Sequence, residues 1–220
     1  MSGRLIVLEG LDGSGKSTQL ELLRKRMTGE VRYVKFPDYA SESSALVRMY
    51  LDGKFGTKPE DVNAYAASAF YAVDRYASFK TDWGADYLRG ATVVCDRYAT
   101  SNAVHQASKL KDDERDSYLD WLYDFEFCRL GIPKPDAVIF LDMPIDVSQR
   151  LMSGRYDGDE NKKDIHERDT AYLEHCRAAA LYSAKRLGWS VISCAENGEV
   201  RSREDIANDV YNAVQASLKH

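Results

Sequence analysis

The sequence predicts an α/β fold in which a five-stranded parallel sheet carries helices on both faces. Two observations indicate this class. Short apolar segments alternate along the chain with longer segments of helical periodicity, which is typical of parallel sheets. The middle apolar segments are almost continuously hydrophobic, as expected of strands covered on both faces. The chain has 220 residues, enough for one substantial core, so we expect a single domain spanning residues 1–220.

The elements follow in a regular order along the chain. Strands are predicted at 4–9, 31–36, 91–96, 137–142 and 190–194. Helices are predicted at 16–27, 41–51, 60–80, 99–109, 112–127, 144–152, 164–187 and 202–217. Residues 153–169 are polar and densely charged and contain two glycines. We therefore expect a polar, mobile segment between two helices there, and most such segments are solvated loops.

Composition excludes several classes of protein. A net charge of −5 gives no general attraction to nucleic acid or to membrane surfaces, so neither partner is expected. The four cysteines are scattered and form no C-x-x-C pair, which fits a reducing, cytoplasmic compartment. No apolar run approaches the length of a membrane span, and the first residues lead directly into a predicted strand, so we expect no signal peptide.

A glycine-rich segment, GLDGSGKST, lies between the first predicted strand and the first predicted helix. In this context the spacing G-x-x-x-x-G-K-[ST] predicts a phosphate-binding loop, in which backbone N–H groups surround an anion at a helix N-terminus. Lys16 would lie beside the terminal phosphates, and the Ser17 hydroxyl would bind Mg²⁺. The residues predicted to bind ATP are Gly10, Leu11, Asp12, Gly13, Ser14, Gly15, Lys16, Ser17 and Thr18.

The loop alone leaves motors, switches and kinases open. Three further segments bear on the choice, and they are FPDY (36–39), SAFYAVDRYASF (68–79) and VCDRYATSNAVHQ (94–106). Ligands of parallel sheets gather beyond the carboxyl ends of the strands, so Phe36, Asp96 and the loop should converge. One face of the helix at 99–109 is predicted to form a polar wall, which consists of Tyr98, Asn102, His105 and Gln106.

Together these motifs resemble those of thymidylate kinases, from about residue 4 to about residue 190. The shared features are the glycine loop, the F-P pair after the second strand, the segment FYAVDR and the segment DRYATSNAVHQ. The resemblance implies a three-layer P-loop kinase fold and the conversion of ATP and dTMP to ADP and dTDP with Mg²⁺, for dTTP synthesis. It also implies a homodimer. A kinase for another nucleoside monophosphate or for a deoxynucleoside is the alternative, and a nucleotide-binding switch is a more remote one.

The resemblance further implies roles for individual residues. Asp12 would accept a hydrogen bond from the sugar 3′-hydroxyl, Phe70 would stack on thymine and Arg75 would bond the edge of the base. Arg97 would hold the acceptor phosphate, and Asp96 would orient Mg²⁺ or its water. The substrate-binding set is Asp12, Phe36, Tyr39, Phe70, Arg75, Arg97, Ser101, Asn102 and His105. The catalytic set is Lys16, Arg97, Arg155 and Asp12, and the metal ligands are Ser17 and Asp96.

Two acceptor-site positions depart from the family pattern. His105, expected near the sugar 2′-carbon, stands where the family usually has tyrosine or phenylalanine. Asp38 follows the F-P pair, near where many members supply an arginine to the acceptor phosphate. Either another cation, for which Arg48 is a candidate, replaces that arginine, or the contact is missing.

Some members have an arginine in the phosphate loop after the acidic residue, where this chain has Gly13. In members built in this way, the resemblance implies that a mobile lid, here at about residues 150–168, supplies the cation that stabilises the transition state. Its basic residues are Arg150, Arg155, Lys162, Lys163 and Arg168. Arg155, which follows Gly154, is the preferred candidate, whereas Arg150 is expected on the helix that leads into the lid.

Overall fold

A computed structural model describes residues 2–155 and 170–219 of the chain. Its main sheet has five parallel strands in the order β2-β3-β1-β4-β5. These strands are β1 (Arg4–Gly10), β2 (Val31–Lys35), β3 (Thr92–Asp96), β4 (Ala137–Asp142) and β5 (Ser190–Ser193). The five predicted strands are confirmed, and their ends agree to within one residue.

The helices of the described residues flank this sheet. They are α1 (Lys16–Arg26), α2 (Ala45–Leu51), α3 (Ala64–Ser78), α4 (Gly84–Leu88), α5 (Thr100–His105), α6 (Arg115–Tyr123), α7 (Ile145–Arg155), α8 (Thr170–Leu187) and α9 (Arg203–Leu218). A π-helical turn, Phe79–Trp83, joins α3 to α4, so the helical segment predicted at 60–80 continues further than expected. Within the described residues, none of these helices combines the length and hydrophobicity needed to cross a membrane.

Two hydrophobic cores lie on opposite faces of the sheet. Side chains of a strand alternate between faces, so Leu5 of β1 enters one core and Ile6 enters the other. The core around Leu5 is covered by α3, α5, α6 and α8, and includes Trp83 and Tyr118. The core around Ile6 is covered by α1 and α9, for example through Val210. This confirms the predicted three-layer arrangement.

The carboxyl ends of β1, β2 and β3 lie side by side at one edge of the sheet. The glycine loop follows β1, Phe36 follows β2 and Arg97 follows β3. The convergence expected from topology is therefore observed. A short antiparallel hairpin, Ala195–Glu196 with Glu199–Val200, follows β5 and was not predicted. Residues 156–168 of the predicted lid lie outside the described residues.

Candidate active site

The glycine loop turns sharply before α1 begins. Gly13 and Gly15 have φ values of 77° and 81°, in the left-handed region that residues with a Cβ rarely enter. Gly15 directly precedes Lys16, the first residue of α1, and its carbonyl accepts the first helical hydrogen bond from Gln19, at 3.0 Å. The unpaired N–H groups of this helix start lie at the loop, where they can face an anion.

Gly13 also lies close to α7. A Cβ at this position would lie 3.1 Å from both Cβ of Ser148 and Cγ of Met152. The loop therefore packs closely against the helix that leads toward the predicted lid. An arginine at position 13 would adopt an unfavourable φ, and the side chains of Ser148 and Met152 would have to give way, so the structure favours glycine at this point of the loop.

Lys16 and Asp96 form an ion pair at the entrance to the loop. Burial and the nearby charge of Arg97 lower the pKa of Lys16, while Asp96 opposes that shift. Asp96 also lines a cleft of about 320 Å³ together with Ser17. The carboxylate and hydroxyl are oxygen donors of the kind that Mg²⁺ prefers, and Mg²⁺ usually takes its remaining ligands from phosphates and water. The two predicted metal ligands thus line the same cleft and are chemically suitable.

Arg97 holds a central position between the loop and the acceptor side. Its backbone has φ 68°, and its N–H donates to the carbonyl of Leu8 at 3.1 Å. Its Nη2 donates to Oδ1 of Asp12 at 3.0 Å, and its Nη1 lies 3.1 Å from Nε2 of His105. Burial tends to raise the pKa of Asp12, but nearby positive charge, that of Arg97 foremost, outweighs it and lowers that pKa.

Glu9 is a buried residue that lies near Arg97 and the start of α5, and the sequence analysis did not identify it. Its carboxylate accepts hydrogen bonds from the hydroxyls of Thr100 at 2.6 Å and Ser101 at 2.9 Å, and lies 3.9 Å from Arg97. Burial raises the pKa of Glu9, although Arg97 and these hydroxyls oppose the shift. An acidic residue within the otherwise apolar strand β1 was the available signal, because a buried charge requires partners.

A cavity of about 220 Å³ opens beside Arg97. Its walls come from the segments after β1, β2 and β3 and from α2, α3, α5 and α8. The predicted residues that the structure brings together here are Asp12, Phe36, Tyr39, Arg75, Arg97, Ser101, Asn102 and His105. Tyr98 and Gln106 join them, so the predicted polar wall does line the cavity.

The aromatic side chain that α3 contributes to the cavity is not the predicted one. Phe70 is not among the residues that line the cavity, and it packs instead on Phe55 and Tyr50, with ring centroids 5.3 and 6.3 Å apart. Tyr71 lines the cavity in its place. Neighbouring helical residues point about 100° apart, whereas Tyr71 precedes Arg75 by four residues and shares its face. This i, i+4 spacing was the signal that could have identified Tyr71.

Arg75 is bound by a partner that the sequence did not reveal. Its Nε donates to Oε2 of Glu126 at 2.9 Å, and its Nη2 donates to Oε1 of the same carboxylate. Arg75 therefore pairs with Glu126 and not with the adjacent Asp74. Its Nη1 makes a longer contact of 3.5 Å with the Tyr98 carbonyl. Asn102 reaches the same carboxylate at 3.4 Å, so these residues form one polar floor.

Neither Asp38 nor Arg48 contributes a cation to the cavity. Arg48 Nη1 donates to the carbonyls of Tyr39 and Ser41, both at 2.9 Å, so it fixes the loop after β2. Arg48 is not among the residues that line the cavity, so the prediction that it replaces the missing cation was wrong. The backbone N–H of Asp38 donates to Oδ2 of Asp74 at 2.9 Å.

Arg150 lies on α7, as expected of the helix that leads into the lid. It is 56% exposed and contacts Asp146 and the carbonyl of Gly198 in the small hairpin. Arg155 is the last residue of α7 in the structure, and its side chain lies outside what the structure describes. The other basic candidates, Lys162, Lys163 and Arg168, fall outside the described residues.

The sequence matches those of known proteins of one family. A family model for thymidylate kinase matches residues 8–206. A thymidylate kinase of Mycobacterium tuberculosis is 33% identical over 191 residues, which cover 84% of this chain and 87% of that protein. A thymidylate kinase of Schizosaccharomyces pombe is 31% identical over 218 residues, which cover 96% of this chain and 91% of that protein.

The fold agrees with these matches. The structure of thymidylate kinase from Candida albicans superimposes with a TM-score of 0.70 at 20% identity, covering 98% of this chain and 92% of that one. That likeness shows a shared fold, whereas the family model and the sequence identities show the family. With the phosphate loop and the acceptor-side cavity in place, this chain belongs to the thymidylate kinase family.

Proposed function

We propose that this protein transfers the γ-phosphate of ATP to the phosphate of dTMP, giving ADP and dTDP for dTTP synthesis. Family membership supports this reaction. The observation that carries it is the position of Arg97, which bonds Asp12 of the phosphate loop and also lines the adjoining cavity. A donor loop and an acceptor cavity that share one guanidinium can bring two phosphate groups together.

The cavity offers a separate contact for each part of dTMP. Tyr71 provides an aromatic face on which thymine can stack. Arg75 and Asn102, on the polar floor, can bond the edge of the base. Arg97 binds the acceptor phosphate, and Asp12 accepts a hydrogen bond from the sugar 3′-hydroxyl.

Further cavity residues complete the proposed acceptor site. Phe36 and Tyr39 close the cavity from the segment after β2. Ser101 and His105 also line the cavity. Ser101 is proposed to approach the base, and His105 is proposed to lie near the sugar 2′-carbon.

The phosphate loop supplies the donor side. N–H groups at the start of α1 bind the β- and γ-phosphates of ATP, and Lys16 neutralises part of their charge. Lys16 must then exchange Asp96 for phosphate oxygens, which frees that carboxylate. Ser17 and Asp96 would hold Mg²⁺, which supplies charge neutralisation to the transferring group.

Catalysis rests on position and charge, with no covalent enzyme intermediate. An oxygen of the acceptor phosphate attacks the γ-phosphate in line, and Arg97 and Lys16 neutralise charge on either side. Arg155 is proposed to add a further cation from the predicted lid at about 150–168. Closure of such a lid would exclude water and so suppress hydrolysis of ATP.

We also propose a homodimer. Several apolar side chains on the outer surfaces of α2 and α3 are exposed, and they are Leu46, Met49, Val73 and Tyr76. An exposed apolar patch of this kind is typical of a subunit contact.

The cysteines Cys95, Cys176 and Cys194 are buried and unpaired with one another, which supports the proposed cytoplasmic location.

The test is direct measurement of nucleoside diphosphate formed from ATP and Mg²⁺ with a panel of acceptors. The panel contains dTMP, dUMP, UMP, dCMP, dGMP and thymidine. We expect dTDP to be the preferred product. Preferred turnover of another monophosphate or of thymidine would favour the alternative kinases, and ATP binding without any acceptor turnover would favour a nucleotide switch.

A further inference from the structure

The side chain of His105 lies against the guanidinium that binds the acceptor phosphate in the proposed function. Its Nε2 is 3.1 Å from Nη1 of Arg97. On the other side of the same guanidinium, Nη2 donates to Oδ1 of Asp12 at 3.0 Å. Arg97 is therefore held between the last residue of α5 and a residue of the phosphate loop.

The contact between His105 and Arg97 defines the state of the imidazole. Arginine has only donors and remains charged throughout the usual pH range. A hydrogen bond from Nη1 of Arg97 thus requires a lone pair on Nε2 of His105, and the proton of the neutral ring must reside on Nδ1. Protonation of Nε2 would replace the hydrogen bond with two cations in contact.

Other titratable and charged side chains face the same cavity from several elements. They are Asp12 in the phosphate loop, Tyr39 after β2, Tyr50 on α2, Tyr71 and Arg75 on α3, Arg97 and Tyr98 after β3, and Tyr172 on α8. Among these described cavity residues, the carboxylate is Asp12, and it already bonds Arg97. Glu9 lies behind the same guanidinium at 3.9 Å, and Lys16 acts on Asp12 from the loop.

We propose that neutral His105 is a positioning residue, whose Nε2 accepts the hydrogen bond that aims Arg97 at the acceptor phosphate. The inference rests on the proposed function and assigns His105 a role distinct from contact with the sugar. Loss of the acceptor atom shifts the guanidinium without releasing it, because Asp12 still holds Nη2. Binding of dTMP should weaken as a result, while binding of ATP should not.

Two substitutions separate the acceptor atom from the shape of the ring. His105→Gln keeps an oxygen that can accept from Arg97 but cannot become a cation. His105→Phe keeps a ring and removes the acceptor. The matched control is His175→Gln, since His175 is exposed on α8 and outside the cavity.

At pH 8 we expect the KM for dTMP to be about tenfold higher in His105→Phe than in His105→Gln, as for loss of one hydrogen bond to a charged group. The KM for ATP should be unchanged in both variants. Below about pH 6.5, where histidine ordinarily protonates, kcat/KM for dTMP should fall more steeply in wild type than in His105→Gln. The remaining slope of the variant reports the acceptor phosphate itself, and His175→Gln should follow wild type.

A second readout does not depend on activity. ¹⁵N NMR of the ligand-free protein at pH 7.5 should show a neutral, Nδ1-protonated ring whose signals vanish in His105→Gln. A protonated ring, an Nε2-protonated ring, or an unchanged dTMP KM in His105→Phe would overturn the role of His105. Failure of the wild-type protein to phosphorylate dTMP would instead reject the proposed function, and this role with it.

Discussion

Arg75 and Glu126 form a two-pronged ion pair in which both side chains are buried, at 2% and 0% exposure. The pair joins α3 to the helical segment after α6, 51 residues further along the chain. Asn102 on α5 contacts the same carboxylate. The floor of the acceptor cavity is thus built from three separate elements that one carboxylate holds together.

Glu126→Gln should strongly destabilise the fold. The substitution leaves the buried guanidinium of Arg75 without its counter-charge, and breaking a buried pair by removing one partner costs about 3–5 kcal/mol. Urea unfolding measures the loss. The matched control is Asp124→Asn, which breaks the exposed Asp124–Arg129 pair in the same segment and should change stability little. Equal effects of the two substitutions would contradict this account of the pair.

Substitutions of Tyr71 and Phe70 should affect different properties, the KM for dTMP and the thermal stability respectively. Tyr71→Leu removes the proposed stacking surface, and stacking of a base on an aromatic ring contributes about 1–3 kcal/mol, so the KM for dTMP should rise at least about fivefold. Phe70→Leu disturbs the contact with Phe55 and should reduce thermal stability with little change in that KM. Tyr71→Phe serves as the conservative control. A larger KM effect from Phe70→Leu would restore the prediction made from sequence.

Glu9 should make stability depend on pH. Burial raises its pKa above the ordinary value of 4.5, so the native state retains this proton when the unfolded chain has lost it. Stability therefore falls as pH rises from 4.5 toward the native pKa of Glu9. Glu9→Gln cannot titrate, and its free energy of unfolding should decline less than that of wild type between pH 4.5 and 7. Parallel curves from urea unfolding at each pH would contradict the prediction.

Arg155→Ala tests the proposed lid cation. If Arg155 neutralises the transferring phosphoryl group, kcat should fall by about 10³-fold or more, as for other arginines in this role. The thermal unfolding temperature should remain near that of wild type. Arg150→Ala is the matched control, because Arg150 contacts Asp146 and the Gly198 carbonyl and should leave kcat at saturating ATP largely intact. An unchanged kcat in Arg155→Ala would remove it from the mechanism.

The strands and the phosphate loop could be predicted because their signals are local. A central strand such as β1 has a continuous apolar run from Leu5 to Leu8, and the loop has fixed spacing around Gly15 and Lys16. The partners of buried charges could not be predicted in this way. The pairing of Arg75 with Glu126 depends on how α3 packs against a distant segment, which no local pattern records.

The error at Phe70 has a different origin. An apolar, partly buried helix face can carry either aromatic residue, and a shift of one position changes the face by about 100°. Only the spacing of Tyr71 to Arg75 distinguishes the two, and composition does not. The small hairpin after β5 was missed because two-residue strands carry almost no periodic signal.

The most direct test of the central claim is ADP release from ATP and Mg²⁺ with and without dTMP, combined with measurement of dTDP. If one guanidinium joins the donor loop to the acceptor cavity, ADP should form with dTMP in equal amount to dTDP and hardly at all without it. Arg97→Met should abolish this coupling while the protein still binds ATP. ADP release that does not depend on dTMP would contradict the account.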